Sequence, residues 1–338
     1  MPTVSFLFLT MQSDSVKVTF SESARKQYAK SYGIVGNHSG VQICHWTKNA
    51  LHGGKGCYKV RFYGVDCHRC AQISPALAWC NEACIFCWRP MEWMKKTSFD
   101  ENEVDEPDEI ISGCVKARKK LMSGFGTFRS AGRFDESFER FPSHWAISLS
   151  GEPTIYPKLG EMVKKLKENP EVRTIFVVTN GQESEMIEKL AQEDALPTQL
   201  YLSLSAHDEK KFNEVNRSVY KDGWQRLLRT IDLFPSLKCR RAIRFTLIKG
   251  VNDSLDSIPS YAALLERSKT DFIEIKSYMA LGFSRKRLGS KNMLEHDEVV
   301  AFTKKLADAL PTYSIASDDE ISRIVLLKRR DSAYPNII

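Results

Sequence analysis

"CAQISPALAWCNEACIFCWRP", residues 70–90, carries four of the nine cysteines of the chain, and three of them lie close together. Cys80, Cys84 and Cys87 form a Cys-x3-Cys-x2-Cys pattern, called the loop triplet below. Three thiolates at this spacing can bind three irons of a four-iron (4Fe-4S) cluster and leave the fourth iron open to another ligand. A structural zinc ion is the alternative, but it normally takes four protein ligands, and no histidine lies near the triplet.

The composition is that of a soluble protein from a reducing compartment. Of 338 residues, 42% are hydrophobic and 27% are charged, and no apolar run is long enough to cross a membrane. The N-terminus lacks the features of a signal peptide, and we expect residues 1–20 to be a disordered tail. Clustered thiols in such a chain bind metal more often than they form disulfides. We therefore expect a cytoplasmic protein that has no membrane partner.

Apolar runs of strand length alternate with amphipathic helical patterns along most of the chain. The predicted strands are 73–79, 144–150, 174–180, 199–206, 242–248 and 272–279, and the predicted helices are 107–122, 156–168, 184–193, 222–234, 256–267 and 295–309. Six strand-plus-helix units imply an α/β fold with a parallel sheet. They are too few for a closed eight-stranded barrel, so periodicity alone leaves a partial barrel and a doubly wound sheet open.

The loop triplet, which follows the first predicted strand, resembles that of the radical S-adenosyl-L-methionine (SAM) enzymes. The resemblance implies a partial (β/α)6 barrel of the TIM type, in which the open iron chelates SAM. Reduction of the cluster then yields a 5′-deoxyadenosyl radical that abstracts hydrogen from the substrate. The SAM-binding candidates that match the family are Phe86, Gly151, Glu152, Asn180 and Ser205. Ser150 departs from the family's Gly-Gly-Glu-Pro turn, and the polar candidates equally suit helix caps or strand ends without a ligand.

The stretches "GNHSGVQICHW", "GCYKVRFYGVDCHRC" and "SPALAWCNEACIFCWRPME" are similar to the archaeal tRNA 4-demethylwyosine synthases. The resemblance covers about residues 30–330 and implies an enzyme of wyosine biosynthesis. That family converts N1-methylguanosine, 3′ of the anticodon in tRNA-Phe, into a tricyclic base with two carbons from pyruvate. The chain has no room for the flavodoxin-like domain of eukaryotic members, so we expect an external flavodoxin- or ferredoxin-type electron donor. We also expect the protein to be a monomer.

In that family, three upstream cysteines bind a second 4Fe-4S cluster, and they correspond here to Cys44, Cys57 and Cys70, called the upstream triplet below. An iron left free in this cluster suits chelation of pyruvate through its carboxylate and keto oxygens. Cys67 departs from the three-cysteine pattern, and it is able to replace Cys70 or to act as a fourth ligand. The alternative is a zinc site that combines these thiols with a histidine, for which the candidates are His45, His52 and His68.

Lys59, two residues after Cys57, corresponds to a lysine proposed in that family to form a Schiff base with pyruvate. An amine near a cationic cluster becomes a better nucleophile when its pKa falls. The sequence equally allows Lys59 to pair only with the pyruvate carboxylate or with an RNA phosphate.

The net charge of +7 suits a polyanionic partner, the more so because residues 100–109 alone contribute seven carboxylates. Basic residues in 237–244 and 282–291 are candidates for contacts to tRNA phosphates, and Trp88 and Arg89 are candidates for stacking on the flipped target base. The basic candidates are Arg240, Arg241, Arg285, Lys286, Arg287 and Lys291. A solvated basic face is the alternative for both segments.

The motifs divide the chain into four expected parts. They are the tail at 1–20, a second-cluster segment at 21–71, the radical SAM barrel at 72–280 and a tRNA-binding extension at 281–338. Two other functions stay open on the sequence, namely a radical SAM enzyme that acts on another RNA or a peptide, and a non-catalytic zinc-binding RNA adaptor. Metal content separates the adaptor from the enzymes, because the adaptor would contain zinc without iron.

Overall fold

The computed structural model describes residues 22–94, 97–100, 104–126 and 132–338. The tail expected at 1–20 and part of the acidic run at 100–109 lie outside these residues. No helix in the described part of the chain is long and apolar enough to cross a membrane.

The described strands form a single ten-stranded sheet. In chain order they are β1 (Gly33–Val35), β2 (Ser39–Gln42), β3 (Cys70–Ser74), β4 (His144–Ile147), β5 (Thr174–Thr179), β6 (Gln199–Ser203), β7 (Arg240–Leu247), β8 (Phe272–Ser277), β9 (Tyr313–Asp319) and β10 (Ile324–Arg329). Strands β3 to β8 are parallel and adjacent in chain order. A doubly wound sheet changes direction at a switch point, whereas this order winds one way, so the fold is the predicted partial (β/α)6 barrel.

Antiparallel strands extend the sheet at both edges. The hairpin β1–β2 pairs with β3, and β10 lies between β8 and β9. The sequence did not predict these four strands. They lie in the segments expected at 21–71 and 281–338, so both flanking segments share the sheet of the barrel. The boundaries of those segments stay a prediction.

Most helices follow the barrel strands and pack on the outer face of the sheet, whereas the first three precede β3, and the third of them packs Tyr58, Phe62 and Tyr63 against the interior residues Phe176 and Tyr201. In the described residues the helices are α1 (Glu22–Ala29), α2 (His45–Leu51), α3 (Tyr58–Tyr63), α4 (Pro107–Met122), α5 (Phe134–Glu139), α6 (Leu159–Glu168), α7 (Ser184–Gln192), α8 (Glu209–Val215), α9 (Gly223–Leu233), α10 (Ile258–Ser268) and α11 (His296–Asp308). The helix α4 shows why the longer predictions succeeded. It begins with Pro107, whose missing N–H is not needed in a first turn, and it carries Lys119 and Lys120 in its last turn.

The first barrel strand differs from its prediction. The sequence predicted a strand at 73–79, but β3 ends at Ser74, because Pro75 cannot donate to the ladder and the backbone N–H of Ala76 donates to the Ser74 hydroxyl at 3.0 Å. The strand begins instead at Cys70, which pairs with His144 of β4. Cys70 therefore lies at the amino end of the barrel, and the loop triplet follows its carboxyl end.

Alternate residues of each barrel strand face opposite sides of the sheet. In β8, Ile273 and Ile275 pack in the outer core with the helices, whereas Phe272 packs inside the barrel with Phe176 and Tyr201. The charged side chains of Arg244 on β7 and of Glu274 and Lys276 on β8 occupy the same inner face, further along these strands. The amino end of the interior is not wholly apolar either, because the buried guanidinium of Arg240 lies 4.6 Å from the ring centre of Phe272.

Candidate active site

The loop triplet lies in a compact loop after β3. The N–H of Cys87 donates to the carbonyl of Cys84 at 3.0 Å, and Ile85 N–H donates to the carbonyl of Val215 at the end of α8 at 2.9 Å. Burial raises the pKa of all three triplet thiols. Thiols that resist ionisation in a buried loop become thiolates when a metal centre supplies positive charge, so the loop fits a 4Fe-4S cluster.

Arg287, which follows β8 in the chain, contacts the backbone of this loop. Its guanidinium donates to the carbonyl oxygen of Cys87, to that of Ile85 at 3.1 Å and to the Glu92 carboxylate at 3.0 Å. The sequence predicted Arg287 as a phosphate contact. The structure places its side chain against the backbone of the cysteine loop, with 15% of its surface exposed.

The turn at Gly151 fits only glycine. Its φ of +70° is in the left-handed region, and a Cβ there would lie 1.8 Å from the carbonyl oxygen of Ala76 and 2.6 Å from that of Trp79. Ser150, the departure from the family turn, donates its hydroxyl to the carbonyl of Leu77 at 2.8 Å. The turn after β4 is thereby pressed against the backbone that leads to the loop triplet.

Polar side chains at the next two strand ends continue this site. Glu152 accepts hydrogen bonds from the Thr154 hydroxyl at 2.7 Å and from the backbone N–H of Asn180 at 2.8 Å, and burial raises the pKa of Glu152. Asn180 in turn donates to Asn81, which lies between Cys80 and Glu82 in the cysteine loop, at 2.6 Å. These contacts bring Glu152 and Asn180 to the loop triplet.

The Ser205 hydroxyl, just beyond β6, is buried and has no hydrogen-bond partner among the described residues. A buried hydroxyl without a partner is costly, so its position fits a polar ligand such as SAM. Phe86 is half-buried and packs against the small cluster formed by Ile85, Val215, Ile248 and Tyr278. Both residues stay SAM-binding predictions.

The upstream triplet is assembled from three different element ends. Cys44 is the N-cap of α2, Cys57 is the N-cap of α3, and Cys70 is the first residue of β3. A hydrogen bond from the buried thiol of Cys67 lowers the pKa of Cys57 to about 7, and burial raises the pKa of Cys70 to about 12. Cys67 thus lies next to the upstream triplet, and its role as a ligand stays a prediction.

Arg118 of α4 contacts the backbone around the upstream triplet. Its guanidinium donates to the carbonyl of Cys70 at 3.2 Å, to that of His68 at 2.8 Å and to that of Ser137 at 2.6 Å. Of the histidines in the zinc alternative, His68 is bound to Glu136 at 2.9 Å. His45 and His52 have ring contacts with Trp46 and Phe125, respectively. Among the described residues, no group of three or more Cys, His, Asp or Glu side chains is placed to hold a single metal ion.

Lys59 points into the barrel from the first turn of α3. Its ammonium group lies 3.9 Å from the ring centre of Phe176 in β5 and 4.8 Å from that of Tyr201 in β6. Burial lowers its pKa, and the nearby charge of Arg244 acts in the same direction. The structure therefore places the predicted amine inside the barrel, next to the upstream triplet.

A buried network that the sequence analysis missed surrounds Lys59. The fully buried carboxylate of Glu274 accepts hydrogen bonds from Arg244 at 2.9 Å and from three tyrosine hydroxyls. These tyrosines are Tyr58 at 2.9 Å, Tyr63 at 2.8 Å and Tyr201 at 3.1 Å. Lys276, two residues after Glu274, faces the same interior, and burial and Arg244 lower its pKa to about 8. Charged residues inside the strand patterns "AIRFTLI" and "FIEIKSYM" were the available signal, since buried strands rarely carry them.

The candidate RNA contacts divide into two groups. Arg285, Lys286 and Lys291 are exposed on the segment 282–291, called the rim segment below, where the N–H of Phe283 donates to the carbonyl of Trp88 at 3.1 Å. The Trp88 side chain is 43% exposed. Arg89, 3.6 Å behind the Trp88 ring, is buried and donates to the hydroxyl of Tyr32 and to Gln42.

Arg240 and Arg241 lie at the amino end of β7, at the opposite end of the barrel from the loop triplet. Arg240 is buried and donates to Gln199 and to the carbonyls of Pro335 and Asn336. Arg241 forms a two-pronged ion pair with Asp271 at 2.9 Å. These guanidinium groups are engaged within the fold, so we leave both residues out of the RNA surface proposed below.

Comparison with known proteins agrees with this geometry. The model of the radical SAM superfamily matches residues 75–258, and the model described as wyosine base formation matches residues 267–329. The fold and the site thus define a radical SAM enzyme. The S-adenosyl-L-methionine-dependent tRNA 4-demethylwyosine synthase of Pyrococcus abyssi is 43% identical over 309 residues, which span 91% of this chain and 87% of the relative.

Two solved structures are similar over 94% of this chain and 99% of their own. One is TYW1 with a lysine-pyruvate adduct bound, with 35% identity and a TM-score of 0.82, and the other is an archaeal TYW1, with 33% identity and a TM-score of 0.75. The chain belongs to the tRNA 4-demethylwyosine synthase family. The family and the fold class predicted from the sequence are both confirmed.

Proposed function

We propose that this chain is an SAM-dependent enzyme of wyosine biosynthesis that condenses pyruvate with N1-methylguanosine 3′ of the anticodon of tRNA-Phe, giving 4-demethylwyosine. The observation that carries the proposal is the position of Lys59. Its amine lies inside the barrel, beside the upstream triplet. The SAM-binding candidates line the carboxyl end of the same barrel. The relative with a lysine-pyruvate adduct supports a keto acid as the partner of this amine.

The carboxyl end of the barrel is the proposed SAM site. The thiols of Cys80, Cys84 and Cys87 would hold the first 4Fe-4S cluster, which together with bound SAM supplies a radical able to take hydrogen from the methyl group of the substrate. Gly151 keeps the turn after β4 against the loop, since any side chain there would strike backbone carbonyls. Glu152 accepts a hydrogen bond from the backbone N–H of Asn180, and Ser205 offers a hydroxyl that has no partner in the described part of the chain.

The barrel interior around Lys59 is suited to a small carboxylate. Lys59, Arg244 and Lys276 place three cationic side chains near the buried carboxylate of Glu274, and Asp319 adds a second carboxylate near Lys276. This excess of positive charge in a largely desolvated space favours an anion. Cys44, Cys57 and Cys70 would hold the second 4Fe-4S cluster beside it, and pyruvate is the anion we propose.

Lys59 is the proposed attachment point for pyruvate. Its amine nitrogen adds to the keto carbon, the keto oxygen leaves as water, and a carbon–nitrogen double bond joins the substrate to the protein. The covalent link holds the two carbons to be transferred on the axis of the barrel. The target base must leave the anticodon stack to reach them, at a cost of a few kcal/mol.

We place the tRNA at the exposed face formed by Trp88 and the rim segment. Arg285, Lys286 and Lys291 offer phosphate contacts there, and Trp88 offers a ring for stacking. An external flavodoxin- or ferredoxin-type protein would supply the electrons, and we propose that the protein acts as a monomer in the cytoplasm.

The test is reductive trapping of labelled pyruvate on the anaerobically reconstituted protein, followed by peptide mapping. We expect borohydride to fix the label on Lys59 in the wild-type protein. Lys59→Ala should lose the label and the tricyclic product while it keeps reductive SAM cleavage, because Lys59 lies away from the loop triplet. The exposed Lys305→Ala on α11 is the matched control. A Lys59→Ala protein that still forms 4-demethylwyosine would contradict the proposed attachment.

A further inference from the structure

Lys276 is a second lysine inside the barrel, and no role is yet assigned to it. It lies on the inner face of β8, two residues beyond Glu274 and therefore roughly 7 Å closer to the carboxyl end of the barrel. Its ammonium group is 6.0 Å from the ring centre of Tyr58, the residue that follows Cys57. The side chain thus faces the same space as Lys59.

The hydrogen bonding of Lys276 is incomplete. An ammonium group has three N–H donors. One of them donates to the carbonyl of Ser322 in the turn between β9 and β10, and no described carboxylate forms a salt bridge with the other two. Arg244, by contrast, is already bound to Glu274 and to the hydroxyl of Tyr58. Lys276 therefore has donors left for an incoming anion, unlike Arg244.

We propose that Lys276 binds the carboxylate of the keto acid whose keto carbon reacts with Lys59, and that it selects a 2-oxo acid over an uncharged ketone. The inference rests on the proposed function, because it takes pyruvate as the substrate. A carboxylate has two oxygens. If one of them were bound by an iron of the second cluster, the other would still be able to accept a hydrogen bond from Lys276. The pKa of about 8 keeps the empty side chain mostly protonated at neutral pH, and a carboxylate beside it strengthens that charge.

The assignment separates the roles of two lysines that look alike in the sequence. Lys59 lies over the rings of Phe176 and Tyr201, and the structure records no hydrogen-bond partner for its amine among the described residues. Lys276 has a carbonyl partner that favours its charged form. The first suits a nucleophile, and the second suits a counter-ion.

The experiment compares pyruvate with its uncharged ester, methyl pyruvate, in borohydride trapping on the reconstituted protein. The wild-type protein should trap pyruvate at lower concentrations than methyl pyruvate. Lys276→Met should raise the half-saturating pyruvate concentration roughly 10- to 100-fold, as expected for a lost charge-assisted hydrogen bond, and leave that of methyl pyruvate nearly unchanged. Lys276→Arg should restore part of the preference. Lys276→Gln is the second neutral variant if Met does not fold, and Lys305→Met is the exposed control.

Two outcomes would overturn the assignment. Unchanged selectivity in both neutral variants, with normal iron content and SAM cleavage, would show that Lys276 does not bind the carboxylate. A label found on Lys276 in the wild-type protein would make it the nucleophile instead. A wild-type protein that traps no pyruvate at all would contradict the proposed function itself, so the two failures are distinguishable.

Discussion

The two cysteine triplets share one structural device and differ in how the chain assembles them. In each, a buried or half-buried arginine donates to the carbonyl of the last cysteine, Arg287 to Cys87 and Arg118 to Cys70. The loop triplet comes from one short loop, whereas the upstream triplet comes from two helix N-caps and a strand start. A motif within one loop is legible in the sequence, while ligands on separate elements depend on the fold to bring them together.

Removal of each triplet should give the largest effects and the sharpest contrast. We expect the triple replacement of Cys80, Cys84 and Cys87 by Ala to abolish SAM cleavage and to remove about half of the iron. The triple replacement of the upstream cysteines should also remove about half of the iron, but it should keep SAM cleavage and lose 4-demethylwyosine. Iron and sulfide analysis with deoxyadenosine and nucleoside assays measures both.

The upstream variant also tests the second cluster and Cys67. If it keeps its full iron content, either no second cluster exists or Cys67 has replaced a missing ligand. A further Cys67→Ala replacement in that background separates these cases, because only a substituted ligand would then release iron. Zinc without iron in the wild-type protein would instead support the adaptor alternative.

Gly151→Ala should come next in size. The new Cβ would lie 1.8 Å from the carbonyl oxygen of Ala76, so the turn must move away from the cysteine loop, and we expect SAM cleavage to fall at least 100-fold. Gly250→Ala is the matched control, because Gly250 has a similar φ of +73° but, apart from its chain neighbours, no described residue has an atom within 4 Å of its Cβ position. It should cost about 1–2 kcal/mol of stability from backbone strain and leave SAM cleavage intact. Equal losses in the two variants would attribute the effect to φ alone.

Replacement of Arg287 or of Arg118 should give smaller effects, each on a different triplet. Arg287→Gln leaves carbonyls of the cysteine loop without their donor, so we expect SAM cleavage to slow about tenfold while the ratio of product to deoxyadenosine stays constant. Arg118→Gln loosens the upstream triplet, so the same ratio should fall while SAM cleavage continues. Electron paramagnetic resonance of the reduced clusters checks which cluster each variant perturbs. A fall in the ratio for Arg287→Gln would contradict this division.

The sequence predicted those parts of the molecule that local rules determine. The barrel strands and long helices follow from hydrophobic periodicity, and the loop triplet follows from spacing within a single loop. The strand at 73–79 was misplaced because its apolar residues continue past Pro75, where the ladder must end. The edge strands β1 and β2 were missed because they are only three and four residues long, β1 pairing with β2 and β2 with β3.

The interior network was not predictable from periodicity, because it depends on which face of each strand points inward. Glu274 has only Lys276 as a charged neighbour in "FIEIKSYM", and only the barrel brings Tyr58, Tyr63, Tyr201 and Arg244 around it. Charge alone was also a poor guide to RNA contacts. Arg240, Arg241 and Arg287 sit in basic stretches, yet the fold engages all three with carbonyls and carboxylates.

The smallest predicted effect concerns the rim segment, and it separates its exposed cations from Arg287. Arg285→Ala combined with Lys286→Ala removes two exposed cations beside Trp88 without touching the cysteine loop. Two lost phosphate contacts should lower the slope of log affinity against log salt by roughly 1.4 to 1.8 and weaken tRNA binding at low salt. Iron content and SAM cleavage without tRNA should not change. Lys304→Ala combined with Lys305→Ala, two exposed lysines on α11, is the matched control and should leave the slope unaltered. If the rim variant binds tRNA with the wild-type slope while Trp88→Ala still weakens binding, the RNA approaches the target site from the other side of Trp88.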